Sequence, residues 1–529
     1  MNALVDTSPY VARRDRVFAA IGDDIAIIPT APEVLRNRDT GFLYRHDSYF
    51  YYLTGFAEPE AVLVLVGGNE RKAILFCREK NLEREIWDGY RYGPDAAREI
   101  FRFDEALPIE KLKEELPKLM SDRAAVHTPV GMTATWDAEI AAAINAVRGM
   151  ARTGVSSPNT VVDIRAVLDD MRLIKDSHEI TLMRRAAEIA SQAHARAMRF
   201  ARPGQFEYEV EAEIAHEFIR FGARTPAYNH IVASGPNACV LHYNDSNRKM
   251  QDGDMLLIDA GCEYAGYASD ITRTFPVNGK FTGPQRVLYD LVLASQDAAV
   301  AATKAGNRFN DPHDATVRVL SQGLLDLGLL DANQVGNVDD VIAQRAYFPF
   351  YMHRTSHWLG MDVHDCGSYV EPTEVGQTHE RKDPLSGETI TDRPSRILRP
   401  GMVLTIEPGI YVRPAEGVPE QFHNIGIRIE DDAIVTETGC ELITRGVPVK
   451  ADEIEALAEL NRIVARHGKG LDVATGNRGG REDEFAMAGA SRQAVGLSGD
   501  KPRQAPQDEE RQRRDQPGEQ QAQRQQRAW

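Results

Sequence analysis

Four carboxylates in this chain stand at the ends of aliphatic strands, a placement that calls for a strong cation. In LLIDAGCEYAGYASDITRTF, Leu256 to Phe275, Asp259 follows three aliphatic residues and Asp270 comes eleven residues later. A turn near Tyr264 to Gly266 sets the two aspartates roughly opposite each other on one face of a hairpin. GMVLTIEPGIYV places Glu407 at the end of another aliphatic strand, and NIGIRIEDD repeats the arrangement with Glu430. Arg428, two residues before Glu430, faces the same side.

Taken singly, each aspartate reads as a turn-flanking acid in solvent, because Asp is seldom buried. Taken together, four acids on separate strand ends are hard to explain as solvated charge. A buried carboxylate protonates, pairs or binds a metal. YMHRTSHWLGMDVHD adds His353, His357 and His364 within twelve positions, in a Gly-containing segment that cannot be one long helix. One histidine is usually structural; three in such a segment form a stronger signal.

Two acids and one imidazole would make a mononuclear site. Four acids and one imidazole fit a pair of divalent ions, with two of the carboxylates bridging. Four negative charges then balance two M²⁺, and Arg428 offsets a bridging hydroxide. Oxygen-rich ligands with one imidazole suit Mn²⁺ or Co²⁺, with Zn²⁺ and Fe²⁺ as alternatives, and no thiolate takes part. Two ions about 4 Å apart generate a hydroxide at neutral pH and clamp a substrate oxygen, which is the chemistry of hydrolysis.

The elements that must position these groups follow from the pattern of the chain. AVLVLVGGNERKAILFC gives two short strands, Ala61–Val66 and Lys72–Cys77, joined by a Gly-Gly-Asn turn. DAEIAAAINAVRG reads as a helix closed by Gly149, and TGVSSPNT, 153–160, as a loop near the end of a mixed α/β unit spanning 1–172. Asp176 and Glu179 form a capping box ahead of a long alanine-rich helix. In EYEVEAEIAHEFIRFG, Val210, Ile214, Phe218 and Phe221 share a face and Gly222 stops the helix. Strands follow, so 173–468 reads as an α+β domain closing with ADEIEALAELNRIVARHG. The polar, Pro-rich segment 371–396 reads as a surface insertion. From Lys469 to Trp529 the composition favours disorder, with too little apolar surface to offset ordering entropy.

At 529 residues the chain exceeds one ordinary core, and its 42% apolar content suits well-packed domains. A net charge of −17 argues against a nucleic-acid surface. No apolar run reaches the roughly 20 residues that cross a bilayer, and the N-terminal stretch has no signal-peptide core. The five cysteines, without a CxxC pair, suit reduced thiols and a cytoplasmic protein.

LLIDAGCEYAGYASDITRTF, SHWLGMDVHD, TIEPGIYV and GIRIEDD resemble the pita-bread metallopeptidases, and within them the aminopeptidase P group. YRHDSYFYYLTGFAEPEAVLVL and YNHIVASGPNACVLHYND extend the likeness, which covers about residues 8 to 465. The resemblance implies a C-terminal pita-bread (creatinase/aminopeptidase) catalytic domain behind a smaller mixed α/β N-terminal domain. It implies cleavage of peptides that begin Xaa-Pro, whose bond lacks the N–H that many proteases read.

Carried over position by position, Asp259 is similar to the ligand of one metal alone, Asp270 and Glu430 to the bridging carboxylates, and His357 and Glu407 to the second metal's ligands. Glu407 also resembles the family's proton acceptor for the bridging water. His242, His353 and His364 resemble the substrate-side histidines, and Arg428 the arginine that orients the acids. Trp87 resembles a tryptophan that a neighbouring subunit contributes, which implies a homo-oligomer, dimer or tetramer. Three departures stand out: Arg354 where many members have glycine, the length of 371–396, and the tail. A prolidase, restricted to Xaa-Pro dipeptides, shares the five ligands and is the nearest alternative. Metal-free creatinase-like hydrolysis, or a non-catalytic interaction module on the same fold, implies lost ligands, and none is lost here.

Overall fold

Alternation of apolar residues builds the first sheet with two buried faces. Ala26, Ile28, Leu63, Leu65 and Leu75 point into one apolar cluster, while Ile25, Ile27, Val62, Val64 and Ile74 point into another. The sheet is mixed and six-stranded, in the order Glu105–Pro108, Lys72–Cys77, Val62–Val66, Ile25–Pro29, Ala125–Thr128, Thr160–Asp163. Trp136, Ile140, Ile144 and Val147 of helix Ala134–Gly149 cover one face; Val17, Phe18 and Ile21 of helix Ser8–Ile21 cover the other. The Val62–Val66 and Lys72–Cys77 strands pair antiparallel, as the Gly-Gly-Asn turn predicts. A Cβ on Gly67 in that turn would lie 2.1 Å from the Gly22 carbonyl oxygen, so only glycine fits there.

Helix Ala134–Gly149 ends at Gly149, as the sequence leads one to expect. After Met150 a 3₁₀ turn follows, Ala151–Thr153, and the left-handed residue is Gly154, φ +92°. The chain then adds strand Thr160–Asp163 and helix Arg165–Leu173 before the next half begins.

The computed structural model describes residues 6–459, and those up to Glu455 form one compact unit. The Asp176–Glu179 capping box opens helix Ser177–Phe200, and Gly222, φ +95°, follows helix Glu207–Arg220. Strands Ile231–Ser234, Met255–Asp259 and Thr272–Pro276 form one antiparallel sheet, and Val403–Ile406, Asp431–Val435 and Cys440–Leu442 a second. Gly409–Val412 pairs with Ile425–Arg428. Helices do not all precede strands, because Gly283–Ala302 and Asp311–Asp326 stand between the two strand sets. The first of these has its own capping box, Thr282 with Gln285.

The polar segment 371–396 is a surface hairpin and not an irregular loop: His379–Lys382 pairs with Thr389–Asp392. Its base is tied by the buried Glu371, which accepts from the Ile397 N–H at 3.1 Å and pairs with Arg399 at 3.4 Å. The expected disorder of 469–529 lies outside the described residues. No described helix is long and apolar enough to cross a membrane.

Candidate functional site

A two-residue turn at Ala265 and Gly266, both at positive φ, sets the register of the hairpin. It pairs Asp259 with Thr272, so Asp270 is the diagonal neighbour of Asp259 on one face and not its direct partner. Both carboxylates are nonetheless buried, and the phenol of Tyr228 joins them. Its hydroxyl lies 2.5 Å from Asp259 Oδ1 and also within hydrogen-bonding reach of Asp270. One O–H serves one carboxylate at a time, so the pair keeps most of its repulsion.

Glu430 arrives from the opposite sheet. Its N–H donates to the Thr272 carbonyl at 3.0 Å and its carboxylate accepts from the Thr272 hydroxyl at 2.6 Å. His357 comes from the irregular segment before strand Val403–Ile406. Its N–H donates to Thr405 Oγ1, and its Nδ1 lies 2.9 Å from the Trp358 carbonyl. That bond turns Nε2 toward the acids, where it can ligate an ion or, when protonated, pair with Asp270 at 3.5 Å. Asp270, His357 and Glu430 each offer a ligand atom, all within 4.8 Å of one another. Glu407 Oε1 stands 3.7 Å from His357 Nε2, and its N–H donates to the Thr355 carbonyl at 2.8 Å. Asp259 lies at the other edge, where Arg428 Nη2 reaches it at 2.5 Å.

The electrostatics of the cluster match a cation site. Burial, followed by the charges of Asp270, Glu407 and Asp259, pushes Glu430 well above the usual carboxylate range. Burial likewise raises Asp270, and takes Glu407 to about 7. Burial opposes a charge on His357, yet Asp270 and Glu407 outweigh it and lift the imidazole to about 9. Absent a metal, the cluster therefore holds protons where divalent ions fit, and the donor set of carboxylates plus one imidazole suits them.

This predicts how stability responds to metal removal. The three acids have folded-state values above their unfolded ones, so they weaken the metal-free fold as pH rises, for Glu407 between 4.5 and about 7. The His357 ion pairs act in the same direction, fully present below 6.5 and lost as pH passes about 9. The Tm of chelator-treated protein is expected to fall from pH 5 to pH 8, and the Tm gain on adding Mn²⁺ to be larger at pH 8. Thermal unfolding with and without Mn²⁺ checks this; a gain that does not grow with pH counts against the cation reading.

Two further histidines stand against the cluster. His353 Nε2 sits 2.8 Å from the Tyr411 hydroxyl, and its Nδ1 is 3.7 Å from Glu407. The His364 ring meets His357 edge-on, with centroids 4.4 Å apart. Desolvation and then nearby positive charge hold His353 down to about 3 and His364 to about 4, so both are neutral hydrogen-bonding groups at neutral pH. His242 contributes to both shifts and thus belongs to the same group. Trp87 is elsewhere, 84% exposed on helix Leu82–Asp88, none of whose residues is buried.

Several participants escape sequence reasoning. Tyr228 stands in a loop with no periodicity, and its only signal is its place in the YNHIVASG stretch. Thr272 and Tyr411 read as ordinary strand residues, yet the hydroxyls of both accept from Arg428, at 3.1 and 2.9 Å. His313 and Tyr351 hold the Thr355 hydroxyl at 3.0 and 2.6 Å, beneath Glu407.

A mixed α/β domain ahead of two sheets that gather buried acids around an imidazole is the frame of a metal-dependent hydrolase. The chain belongs to metallopeptidase family M24, whose profile matches residues 181–437, with the "Aminopeptidase P, N-terminal domain" profile matching 10–127. It is 48% identical over 434 residues to the Xaa-Pro aminopeptidase of Escherichia coli (strain K12), covering 82% of this chain and 93% of that protein. The structure of Pseudomonas aeruginosa aminopeptidase PepP superposes with a TM-score of 0.80 at 46% identity, covering 87% of this chain and 99% of that one. Zn-substituted E. coli aminopeptidase P in complex with product matches with the same TM-score of 0.80, at 45% identity and the same coverage of both chains. The fold is thus the α+β pita-bread architecture behind a smaller α/β domain.

Proposed function

We propose that this protein is an Xaa-Pro aminopeptidase, a metallo-exopeptidase that releases the first residue of peptides with proline second. The observation that carries the reading is the convergence of Asp270, His357 and Glu430, whose ligand atoms lie within 4.8 Å of one another. The E. coli relative bears the same activity in its name, which does not favour the prolidase alternative.

Asp259 would hold one ion, Asp270 and Glu430 both ions, and His357 and Glu407 the second. When bound, the pair supplies Lewis acidity and lowers the pKa of a water. Glu407 accepts a proton at its carboxylate and returns it to the departing proline nitrogen. Neutral His364 donates to the scissile carbonyl oxygen as charge develops there, and His353 and His242 flank the proline side. Arg428 fixes the Asp259 carboxylate, where the substrate's free amino group is expected to bind.

Mn²⁺ is the first choice of ion on the oxygen-rich donor set, with Co²⁺, Zn²⁺ and Fe²⁺ behind it; the Zn-substituted relative supports some latitude. The exposed face around Trp87 supports a homo-oligomer that contributes this ring to a neighbouring site. The free cysteines support a reducing, cytoplasmic setting. The two profile matches support a division into domains 1–172 and 173–468.

Purified protein loaded with Mn²⁺ is expected to cleave Gly-Pro-Gly and longer Xaa-Pro peptides and to carry two metal ions per chain by elemental analysis. Cleavage of Gly-Pro alone, with no activity on Gly-Pro-Gly, would overturn the aminopeptidase reading.

A further inference from the structure

The segment between His357 and His364 has no regular structure of its own, so something else must fix where His364 points. It folds back around one carboxylate. The Asp365 N–H donates to the Trp358 carbonyl at 2.9 Å, and the Gly360 N–H to the Asp362 carbonyl at 3.2 Å. A Cβ on Gly360 would lie 2.2 Å from Asp365 Oδ2, so the wrap closes only over glycine.

The groups that hold this wrap come from earlier in the chain. Arg172 Nη2, from helix Arg165–Leu173, donates to Asp365 Oδ1 at 2.6 Å and to Asp362 Oδ2 at 2.8 Å. Lys175 Nζ reaches Asp365 Oδ2 at 2.9 Å. The side chains of Arg172, Lys175 and Asp365 are each 1% exposed, so their charges act with little solvent screening. The Arg172 guanidinium lies over the Tyr49 ring, 4.8 Å from its centroid. The Arg172 Nε and Nη1 atoms have no hydrogen-bond partner, so the two aspartates and the ring are what its buried charge serves.

A second group ties the wrap to the hairpin of Asp259 and Asp270. Arg45 Nη2 donates to the Met361 carbonyl at 2.8 Å, while its Nε pairs with Glu263 on that hairpin at 2.6 Å. Ser48 Oγ donates to Asp362 at 2.7 Å. The Ala268 N–H, two residues before Asp270, donates to the Gly360 carbonyl at 2.8 Å. One arginine fork from the N-terminal half therefore spans the hairpin that bears two acids and the segment that bears His364.

We propose that Arg45 and Arg172 are positioning residues for peptide cleavage, setting His364 against the acidic hairpin from the N-terminal half of the chain. The proposal rests on the aminopeptidase reading and adds that the N-terminal half takes part in the chemical step through this clamp. Neither arginine touches the reacting atoms. Misplacing a catalytic group by about 1 Å costs up to about a hundredfold in rate, so loosening the clamp acts on kcat.

The test is a double-mutant cycle on the full-length, Mn²⁺-loaded enzyme with Gly-Pro-Gly. Arg45 is 39% exposed, so Arg45→Met leaves a folded protein. It is expected to lower kcat about tenfold, with KM within about twofold and metal content unchanged. Arg172→Lys keeps the buried charge but loses the fork, and is expected to do the same. In a His364→Ala background the Arg45→Met effect is expected to shrink below about twofold, since the group being positioned is gone. Arg184→Met, which breaks the surface pair with Glu441, controls for loss of a comparable ion pair elsewhere and leaves kcat unchanged. Equal losses in both backgrounds, or no loss of kcat in Arg45→Met, would overturn the proposal. Failure of the aminopeptidase reading looks different: the native Mn²⁺-loaded enzyme would itself not cleave Gly-Pro-Gly. Should Arg172→Lys not fold, the Arg45 cycle decides alone.

Discussion

Replacing Glu407 with alanine is expected to lower kcat on Gly-Pro-Gly by about 10³-fold or more, the range in which a positioned proton carrier contributes. The expectation follows from where the residue sits. Strand Val403–Ile406 is buried throughout, so Glu407 is the first residue whose side chain can leave the sheet toward the acids. Its backbone is held by the Thr355 carbonyl, and its carboxylate faces both His357 and His353 at 3.7 Å. It stands where a proton leaving a bound water can be taken up and passed on to the departing nitrogen. Asp270, His357 and Glu430 do not depend on it for their mutual approach, so metal is expected to remain when Mn²⁺ is supplied in excess. Glu407→Gln, which keeps an oxygen ligand but cannot carry the proton, is expected to be nearly as impaired. Rates measured beside metal content separate the two roles; near-native turnover in either variant with metal bound would remove Glu407 from the reaction.

The features read correctly from the chain are those in which one residue violates the rule of its surroundings. An acid straight after Leu-Leu-Ile or after Val-Leu-Thr-Ile breaks the pattern of a buried strand, and these two breaks point to Asp259 and Glu407. Glu430 follows the same logic after Ile-Gly-Ile-Arg-Ile. What the pattern does not carry is register. Pairing Asp259 with Thr272 requires knowing that Ala265 and Gly266 alone make the turn, and one residue either way would reassign every partner. Tyr228 is invisible for a related reason: its role arises from a loop passing over the hairpin, not from any period in its own segment. The hairpin in 371–396 is hard to read because HERK is polar on both faces and TITD carries one apolar residue, Ile390, so alternation gives almost no signal. Helix Gly283–Ala302 had a signal, Thr282 followed by Gln285 before a long apolar run, that the change to Gly- and Pro-spaced strands upstream obscured.

Arg428 is the fixed positive charge of the site, and its replacement by methionine is expected to cost the metal-free protein about 3–5 kcal/mol of stability, the usual result of stranding a buried charge. Burial disfavours the guanidinium, but Tyr411, Asp259, Glu430 and Glu407 more than compensate and hold it well above its ordinary value. Its Nη2 donates to Asp259 at 2.5 Å, its Nε donates to Thr272 Oγ1 at 3.1 Å, and its Nη1 donates to the Tyr411 hydroxyl that in turn meets His353. Methionine fills the volume and restores none of these. Divalent ions neutralise the same carboxylates, so the loss is expected to be smaller in the Mn²⁺-loaded protein than after chelation. Arg428→Lys keeps the charge without the planar fork, and is expected to recover part of the stability while leaving activity low, since Tyr411 and Asp259 are then no longer held together. Chemical unfolding of both variants, with and without Mn²⁺, checks this. An Arg428→Met protein as stable as native after chelation would mean that Arg428 does not hold Asp259 and Tyr411 in the folded protein, and its place as the fixed charge of the site would fall.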